Sequence, residues 1–203
     1  NDDGQCTVPG GLDQVKAVAA GGYHNLALKS DGTVAAWGKN NDEQCIVPGD
    51  LTDVVAVAAG DYHSLALKSD GTVAAWGANG SNQCDVPGSL AQVVAVAAGA
   101  FHNLALKSDG TVAAWGANGD DQCTVPSEVA PANVVASGGY HSLGLRYRNV
   151  VAWGANGNGQ STVPDLPEAV VSVAGGGYHS LALKYNGTVA AWGANGSDQC
   201  DVP

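Results

Sequence analysis

Five histidines recur at a fixed interval and are the first candidates for chemistry in this chain: His24, His63, His102, His141 and His179. A ring of imidazoles can hold a metal ion or an anion, and one imidazole beside a nucleophile can act as a general base. In an extended segment His63 shares a face with Leu65 and Leu67, and the other copies repeat this pattern. The pattern favours a buried structural histidine over a metal or anion ring.

Five cysteines keep the same interval, each within Gln-Cys-x-Val-Pro: Cys6, Cys45, Cys84, Cys123 and Cys200. Ser161 takes this place in the remaining copy. Equivalent positions of neighbouring repeats should lie farther apart than the roughly 4.4–6.8 Å that a disulfide allows between Cα atoms. No Cys-x-x-Cys occurs, and the histidines lie elsewhere in the repeat, so we predict no zinc site. We expect small strand positions that serine can fill.

Neither a nucleophile–base pair nor a carboxylate pair stands apart from the repeats. A residue that recurs in all five repeats is expected to have a structural role, whereas an active site usually occurs once in a chain. We therefore predict no catalysis and no cofactor.

A tandem repeat must position all these residues. Its clearest markers are the tryptophans, spaced by 39, 39, 38 and 39 residues: Trp37, Trp76, Trp115, Trp153 and Trp192. Such a period indicates a β-propeller or a solenoid. We treat residues 1–203 as one array, with 1–14 as an outer-strand remnant and linker. The repeats cover about 15–53, 54–92, 93–131, 132–169 and 170–203.

One repeat predicts four antiparallel strands. Residues 54–60 are small and apolar, 62–68 alternate, 72–77 contain the tryptophan, and 83–87 end in proline. Asp70-Gly71 is a strong hairpin signal. The fold class is therefore all-β, a β-propeller of about five four-stranded blades, with the tryptophans and histidines as structural residues.

The two ends of the chain carry the same segment. Either Gln5–Val8 or Gln199–Val202 completes a blade and the other is surplus. A closed five-blade ring is favoured. The alternatives are an open array, a ring completed by oligomerisation, or part of a longer array.

In such blades the first-to-second and third-to-fourth turns emerge on one side, which gathers an aromatic and polar face. Its predicted members are Tyr23, Tyr62, Phe101, Tyr140, Tyr178, Asn40, Asp42, Asn79, Asn118, Asp120, Asn156 and Asn195. Tyrosines give large contact area at low entropic cost, so this face is a candidate protein-binding surface. The alternative is that the rings only fill gaps between blades.

The net charge of −11 argues against nucleic acid or an anionic membrane as partner, because both require a positive face. The sequence has no apolar run long enough to span a bilayer, no signal segment and no methionine. We expect a processed or excised product.

The phrase Ala-Ala-Gly-Gly-Tyr-His-Asn-Leu-Ala-Leu-Lys-Ser-Asp-Gly-Thr-Val-Ala-Ala-Trp-Gly at 19–38 resembles the repeat of the regulator of chromosome condensation family. The Gln-x-x-Val-Pro tail and short linker are more similar to its bacterial branch, the propeller-type β-lactamase inhibitory proteins. This resemblance implies a secreted or cell-surface protein that grips its target with the aromatic residues and Trp-Gly loops named above.

We therefore predict a non-catalytic propeller that binds a protein, in an inhibitor-like manner, through this face. A carbohydrate-binding propeller and a purely structural or engineered scaffold are the alternatives. An incomplete ring would make oligomers.

Overall fold

The computed structural model describes residues 1–203 and contains five antiparallel sheets, one in each repeat. Each sheet has three strands in chain order. The first strands are Val15–Ala20 (β1), Val54–Ala59 (β4), Val93–Ala98 (β7), Val134–Ser137 (β10) and Val170–Gly175 (β13). The middle strands are His24–Lys29 (β2), His63–Lys68 (β5), His102–Lys107 (β8), His141–Arg146 (β11) and His179–Lys184 (β14). The third strands are Val34–Gly38 (β3), Val73–Gly77 (β6), Val112–Gly116 (β9), Asn149–Gly154 (β12) and Val189–Gly193 (β15).

The middle and third strands are joined by the predicted tight turns. Gly71 has φ of 79°, and the Asp70 carboxylate accepts hydrogen bonds from the Thr72 amide at 2.9 Å and hydroxyl at 2.6 Å. In the fourth repeat Tyr147 and Arg148 have φ of 46° and 73° and form a shorter turn. The three-stranded sheet is preserved there.

The middle strands of the three internal sheets, β5, β8 and β11, are covered on both faces by neighbouring sheets. In β5, Leu65 and Leu67 pack with Val93 and Trp115 of the third sheet. Ala66, which points the other way, packs with the first sheet. Side chains that alternate along a middle strand therefore pack on the preceding and the following sheet in turn. As a result, the core consists of a separate cluster between each two consecutive sheets.

The predicted fourth strand is wrong. The Gln-Cys-x-Val-Pro segments form turns and extended backbone without ladder pairing. The residue before the glutamine has a positive φ, 60° at Asn82, and the Cys84 amide donates to the Asn79 side chain at 2.8 Å. These two features curl the segment, and proline removes a donor from its end. Each sheet consequently has three strands.

Each of these segments except the last packs against the sheet that follows it in the chain. The Gln44 carbonyl accepts hydrogen bonds from Trp76 Nε1 at 3.0 Å and from Ser64 Oγ at 2.9 Å, both in the second sheet. The Gln5 carbonyl likewise accepts a hydrogen bond from Trp37 Nε1, at 3.1 Å. Gln5–Val8 is therefore the segment that completes a sheet, and Gln199–Val202 is the surplus one.

The five sheets form an open, propeller-like array, so the expectation of a closed ring is wrong for this structure. The contacts that join consecutive first and middle strands are not repeated between the fifth sheet and the first. Val18 in β1 is 72% exposed and Leu183 in β14 is 40% exposed, whereas Leu28 and Leu67 in internal positions are buried. No helix in the structure has the length and apolar character that crossing a bilayer requires.

Candidate functional site: an aromatic face with acidic clefts

The five predicted aromatic residues form one continuous row. Each lies in the turn between the first and middle strand of its sheet, immediately before the histidine. Successive ring centroids are 5.2, 5.7, 6.3 and 5.9 Å apart along Tyr23, Tyr62, Phe101, Tyr140 and Tyr178. Three of the four pairs are stacked, with interplanar angles of 21° to 27°. The row is exposed at its ends, where Tyr23 and Tyr178 show 39% and 51% of their surface.

The Trp-Gly loops lie beside this row, as the topology predicts. The Ala78 amide donates to the Tyr62 carbonyl at 2.9 Å, and the other four repeats make the same bond. A backbone hydrogen bond therefore joins the aromatic residue to the Trp-Gly loop in every repeat. The sequence therefore predicts correctly which residues come together.

The loop asparagines make hydrogen bonds within their own loops. Asn79 Oδ1 accepts from the Cys84 amide, and its Nδ2 donates to Asp85 at 2.8 Å. The same acceptor position is held by Asn40, Asn118, Asn156 and Asn195. These side chains shape the loops, and their hydrogen-bonding capacity is largely used within the protein.

Two clefts open between the aromatic row and the loops. One, of about 450 Å³, is lined by Tyr62, Phe101, Asp42, Ala78 and the loop 79–81. The other, of about 340 Å³, is lined by Tyr140, Tyr178, Asp120, Ala155 and the loop 157–158. The predicted residues Asp42 and Asp120 therefore occupy equivalent places, each beside a stacked aromatic pair.

The face is acidic. Burial, followed by the nearby Tyr178, Asp61 and Asp120, raises the pKa of the Tyr140 hydroxyl. Asp61 itself lies in a glycine-rich recess of about 250 Å³ at the ends of the first strands, and burial raises the pKa of its carboxyl group. The carboxylates of Asp42, Asp61 and Asp120 on this surface favour a cationic ligand.

Sequence reasoning missed Lys39, the one basic residue of the aromatic corners and Trp-Gly loops. Its Nζ lies 5.0 Å from the ring centroids of both Tyr23 and Tyr62. The signal was present in the sequence, because the other four repeats have alanine after Trp-Gly.

The histidines link neighbouring sheets and lie beneath the face. His63 Nε2 is 2.7 Å from Asn103 Oδ1 in the next sheet, and His24 Nε2 is 2.9 Å from Ser64 Oγ. Burial lowers the pKa of His24, His102 and His141 to about 4, and each is also affected by a neighbouring histidine. These three imidazoles are therefore neutral at physiological pH.

The Ser–His pairs have the spacing of a catalytic dyad but not its accessibility. Ser64 Oγ lies against His24 and donates to the Gln44 carbonyl, and both side chains are buried. His102–Ser142 and His141–Ser180 repeat the arrangement. A nucleophile must reach its substrate, so these pairs join sheets and do not form an active site.

The glutamines of Gln-Cys-x-Val-Pro are functional in the architecture and were missed. Gln44, Gln83, Gln122 and Gln160 are buried, and their carbonyls accept from the indoles of Trp76, Trp115, Trp153 and Trp192. Their strict recurrence was the available signal. Trp76, Trp115, Trp153 and Trp192 pack between sheets.

The cysteines are free thiols. Cys84 Sγ donates to the Ala78 carbonyl at 3.2 Å, and Ser161 Oγ makes the equivalent bond to Ala155 at 2.9 Å. This shared bond explains why serine substitutes for cysteine, although the position lies in a turn and not in a strand. Burial raises the pKa of Cys84 and Cys123 to about 11. No group of three or more His, Cys, Asp or Glu side chains able to hold a metal ion is found.

Comparison with known proteins identifies the repeat. The sequence profile of the Regulator of chromosome condensation (RCC1) repeat matches residues 15–44, 54–83, 93–122 and 170–199. No curated protein matches the chain significantly in sequence.

Solved structures share the fold. Prp20p from Saccharomyces cerevisiae, characterised with its binding to Gsp1p and histones, is 26% identical with a TM-score of 0.78. Yeast RCC1 (Prp20) bound to Kap60 is 27% identical with a TM-score of 0.71, and human WBSCR16 is 24% identical with a TM-score of 0.76. The matches cover 92%, 88% and 89% of this chain but only 59%, 56% and 62% of those proteins.

Proposed function

The chain belongs to the Regulator of chromosome condensation (RCC1) repeat family, and on that premise we propose that its aromatic face binds a protein partner. The observation that carries the proposal is the continuous row from Tyr23 to Tyr178, bordered by two clefts. Rings already held by stacking lose little conformational freedom on binding, so their buried area is converted efficiently into affinity.

The fold relatives support a binding role. Prp20p binds Gsp1p and histones, and yeast RCC1 (Prp20) binds Kap60. We extend only the general property to this chain, which is recognition of a protein by an RCC1-type array. Catalysis has no matching support, since the Ser–His pairs are buried and repeated.

Inhibitor-like action on an extracellular enzyme is the more specific form of this proposal. In that case the protein is secreted or displayed at the cell surface, and the aromatic row covers an enzyme's substrate entrance. A β-lactamase is the first target to assay, because the Gln-x-x-Val-Pro tail and short linker resemble the bacterial inhibitory branch.

A carbohydrate ligand is the second candidate. Each cleft combines an aromatic pair with Asp, Asn and Gln side chains, and the two clefts are equivalent by repeat symmetry. Sugars stack on aromatic rings and hydrogen-bond to such groups. This candidate requires the same ligand to bind at both clefts.

The test is capture of a stoichiometric protein by the wild-type chain, followed by Tyr62→Ala and Phe101→Ala. We expect each variant to weaken capture at least tenfold, as for central aromatic residues of an interface. Thr72→Ala, in a hairpin away from the row, is the matched control, and circular dichroism checks that every variant remains folded. Capture that survives both aromatic substitutions contradicts the proposal.

A glycan array separates the candidates. Multivalent glycan binding lost on Tyr62→Ala supports the lectin-like function, and silence in both assays supports a structural or engineered scaffold.

The two end faces of the array are proposed to associate with each other between copies. A groove of about 240 Å³ on the fifth sheet is lined by Val173, Leu181, Leu183 and Val189. At internal junctions the equivalent leucines, Leu26 and Leu28, pack on a valine and a tryptophan of the next sheet. The first sheet presents these partners as Val15 and Trp37, which lack a preceding sheet. The unpaired faces are therefore complementary.

Hydrogen bonding at the ends is complementary as well. Each internal histidine pairs with a serine or asparagine of the next sheet, whereas His179 has no following sheet and Asn25 has no preceding histidine. In the proposed assembly, a second copy places a partner beside each of these two side chains.

A further inference from the structure

The position of Lys39 shows how the aromatic row holds a cation. Its ammonium group lies 5.0 Å from the Tyr23 and Tyr62 ring centroids, and these rings are stacked at 5.2 Å. A cation within about 6 Å of an aromatic centroid is attracted by the ring quadrupole. At this junction the side chain of Lys39 occupies the position beside the ring pair.

The same backbone frame recurs without the lysine. The Lys39 amide donates to the Tyr23 carbonyl at 2.9 Å, and Ala78 and Ala155 make the same bond to Tyr62 and Tyr140. Replacement of the long side chain by a methyl group leaves the space beside the ring pair open. The open spaces are the two clefts described above, of about 450 and 340 Å³.

The ring pairs at these clefts resemble the pair that holds Lys39. Tyr62 and Phe101 are 5.7 Å apart, and Tyr140 and Tyr178 are 5.9 Å apart, both stacked at 21°. The intervening pair, Phe101 and Tyr140, is wider and tilted, at 6.3 Å and 43°. Stacked pairs therefore coincide with the clefts.

A carboxylate completes each cleft. Asp42 lines the first and Asp120 lines the second, both two residues before the buried glutamine of their repeats. At the intervening junction the equivalent residue is Ser81. An aromatic pair with an adjacent carboxylate matches the apolar stem and charged head of a lysine side chain.

We propose that each of the two clefts binds a lysine side chain of the partner protein, in the position that Lys39 occupies at the first junction. This inference rests on the proposed function, since it specifies the chemistry of the partner that the face recognises. The partner surface is basic and presents two lysines, one for each cleft.

The direct test is titration of the ¹⁵N-labelled protein with a tetralysine peptide. Tetra(Nε-acetyllysine), which has the same backbone but no side-chain charge, is the control ligand. We expect tetralysine to shift the amide signals of Ala78, Gly80, Ala155 and Gly157, and the acetylated peptide to leave them unchanged. Shifts spread evenly over all acidic loops indicate nonspecific attraction and overturn the proposal.

Two substitutions exchange open and filled clefts. Ala78→Lys supplies an internal lysine to the first open cleft, and we expect its signals to lose their response to tetralysine. Lys39→Ala opens the junction between Tyr23 and Tyr62, and we expect a new response there with about threefold to tenfold tighter local binding.

Matched controls separate site occupancy from net charge. Thr72→Lys adds the same charge as Ala78→Lys in a hairpin away from the row, and Lys68→Ala removes the same charge as Lys39→Ala. The proposal is contradicted if Thr72→Lys changes the response to tetralysine as much as Ala78→Lys does, or if Lys68→Ala changes it as much as Lys39→Ala does. The partner protein can also be tested against the double variant Ala78→Lys with Ala155→Lys. If Tyr62→Ala abolishes capture of the partner but the double variant still captures it, the lysine inference fails while the proposed function stands.

Discussion

At the scale of single residues, the chain repeats one polar connection between sheets. In each of the first four sheets, the histidine at the start of the middle strand reaches a serine or asparagine of the next sheet, at 2.7 to 3.0 Å. Nδ1 of the same rings is buried without a partner at His24, His63, His102 and His141. Glycine is required at position 21 because a Cβ there would overlap the Gly60 carbonyl and would also lie 2.8 Å from His24 Cε1.

This connection makes stability depend on pH. The folded-state pKa of His24, His102 and His141 is lowered from 6.5 to about 4, mainly by burial. The unfolded chain therefore binds more protons in this range, so the histidine contribution is complete above pH 6.5 and is lost as pH falls towards 4. We expect the urea midpoint to fall steadily between pH 7 and 5.

The carboxylates can be distinguished from the histidines by pH range. Hydrogen bonds from Thr33, Thr72 and Thr111 lower the pKa of Asp31, Asp70 and Asp109 below 3.8, so their contribution is lost only at more acid pH. A urea midpoint that is constant or rises from pH 7 to 5 would show that the imidazoles are not buried as neutral groups.

At the scale of elements, the three-stranded sheet depends on a segment that is not a strand. The carbonyl of each buried glutamine accepts a hydrogen bond from the tryptophan indole of the next sheet. The Gln-Cys-x-Val-Pro segment therefore acts as a clamp between one repeat and the following one. The tryptophan supplies both the hydrogen bond and a large buried ring. Removing it should therefore loosen the clamp and the inter-sheet core together.

Trp115→Ala and Trp37→Ala provide a matched pair for this clamp. Trp115 is 7% exposed and packs with Leu65 and Leu67. Its truncation should cost about 3–5 kcal/mol in the free energy of unfolding, the usual range for a buried aromatic residue. Trp37 is only partly buried, because no sheet precedes it, and should cost distinctly less.

Urea unfolding followed by circular dichroism measures both costs. Equal losses for Trp115→Ala and Trp37→Ala would show that the first sheet is as well covered as the internal sheets. That result would contradict the open arrangement.

At the scale of the whole molecule, the association that we propose joins the two unlike end faces of the array. Contacts of this kind are head-to-tail, and they generate rings if the rotation closes and filaments if it does not. Leu183 is 40% exposed on one end face and Val18 is 72% exposed in the first strand of the other end sheet. The same kinds of side chain are buried wherever two sheets meet.

We expect species larger than the 20.2 kDa chain, increasing with protein concentration, in sedimentation velocity experiments. Leu183→Glu should abolish them, because a carboxylate would be buried without a partner in the joined face. Val94→Glu, at an exposed position of an internal sheet, is the control and should leave assembly intact. A concentration-independent monomer would exclude association between copies.

The sequence alone determined the period, the three paired segments of each sheet, the Asp-Gly turns and the grouping of aromatic corners with Trp-Gly loops. These features depend on local rules: alternation places side chains on opposite faces, and glycine permits the positive φ of the turn at Gly71. The burial of His63 and Trp76 follows from the same alternation.

Only the tertiary structure decided how one repeat meets the next. It showed that Gln5, not Gln199, serves a sheet, that His63 pairs with Asn103, and that Lys39 lies over two rings while the array stays open. These contacts join residues on different sheets, and their existence depends on the angle and spacing between sheets. A nearly identical repeat specifies the two faces of each sheet, but the packing of those faces decides which ones remain free.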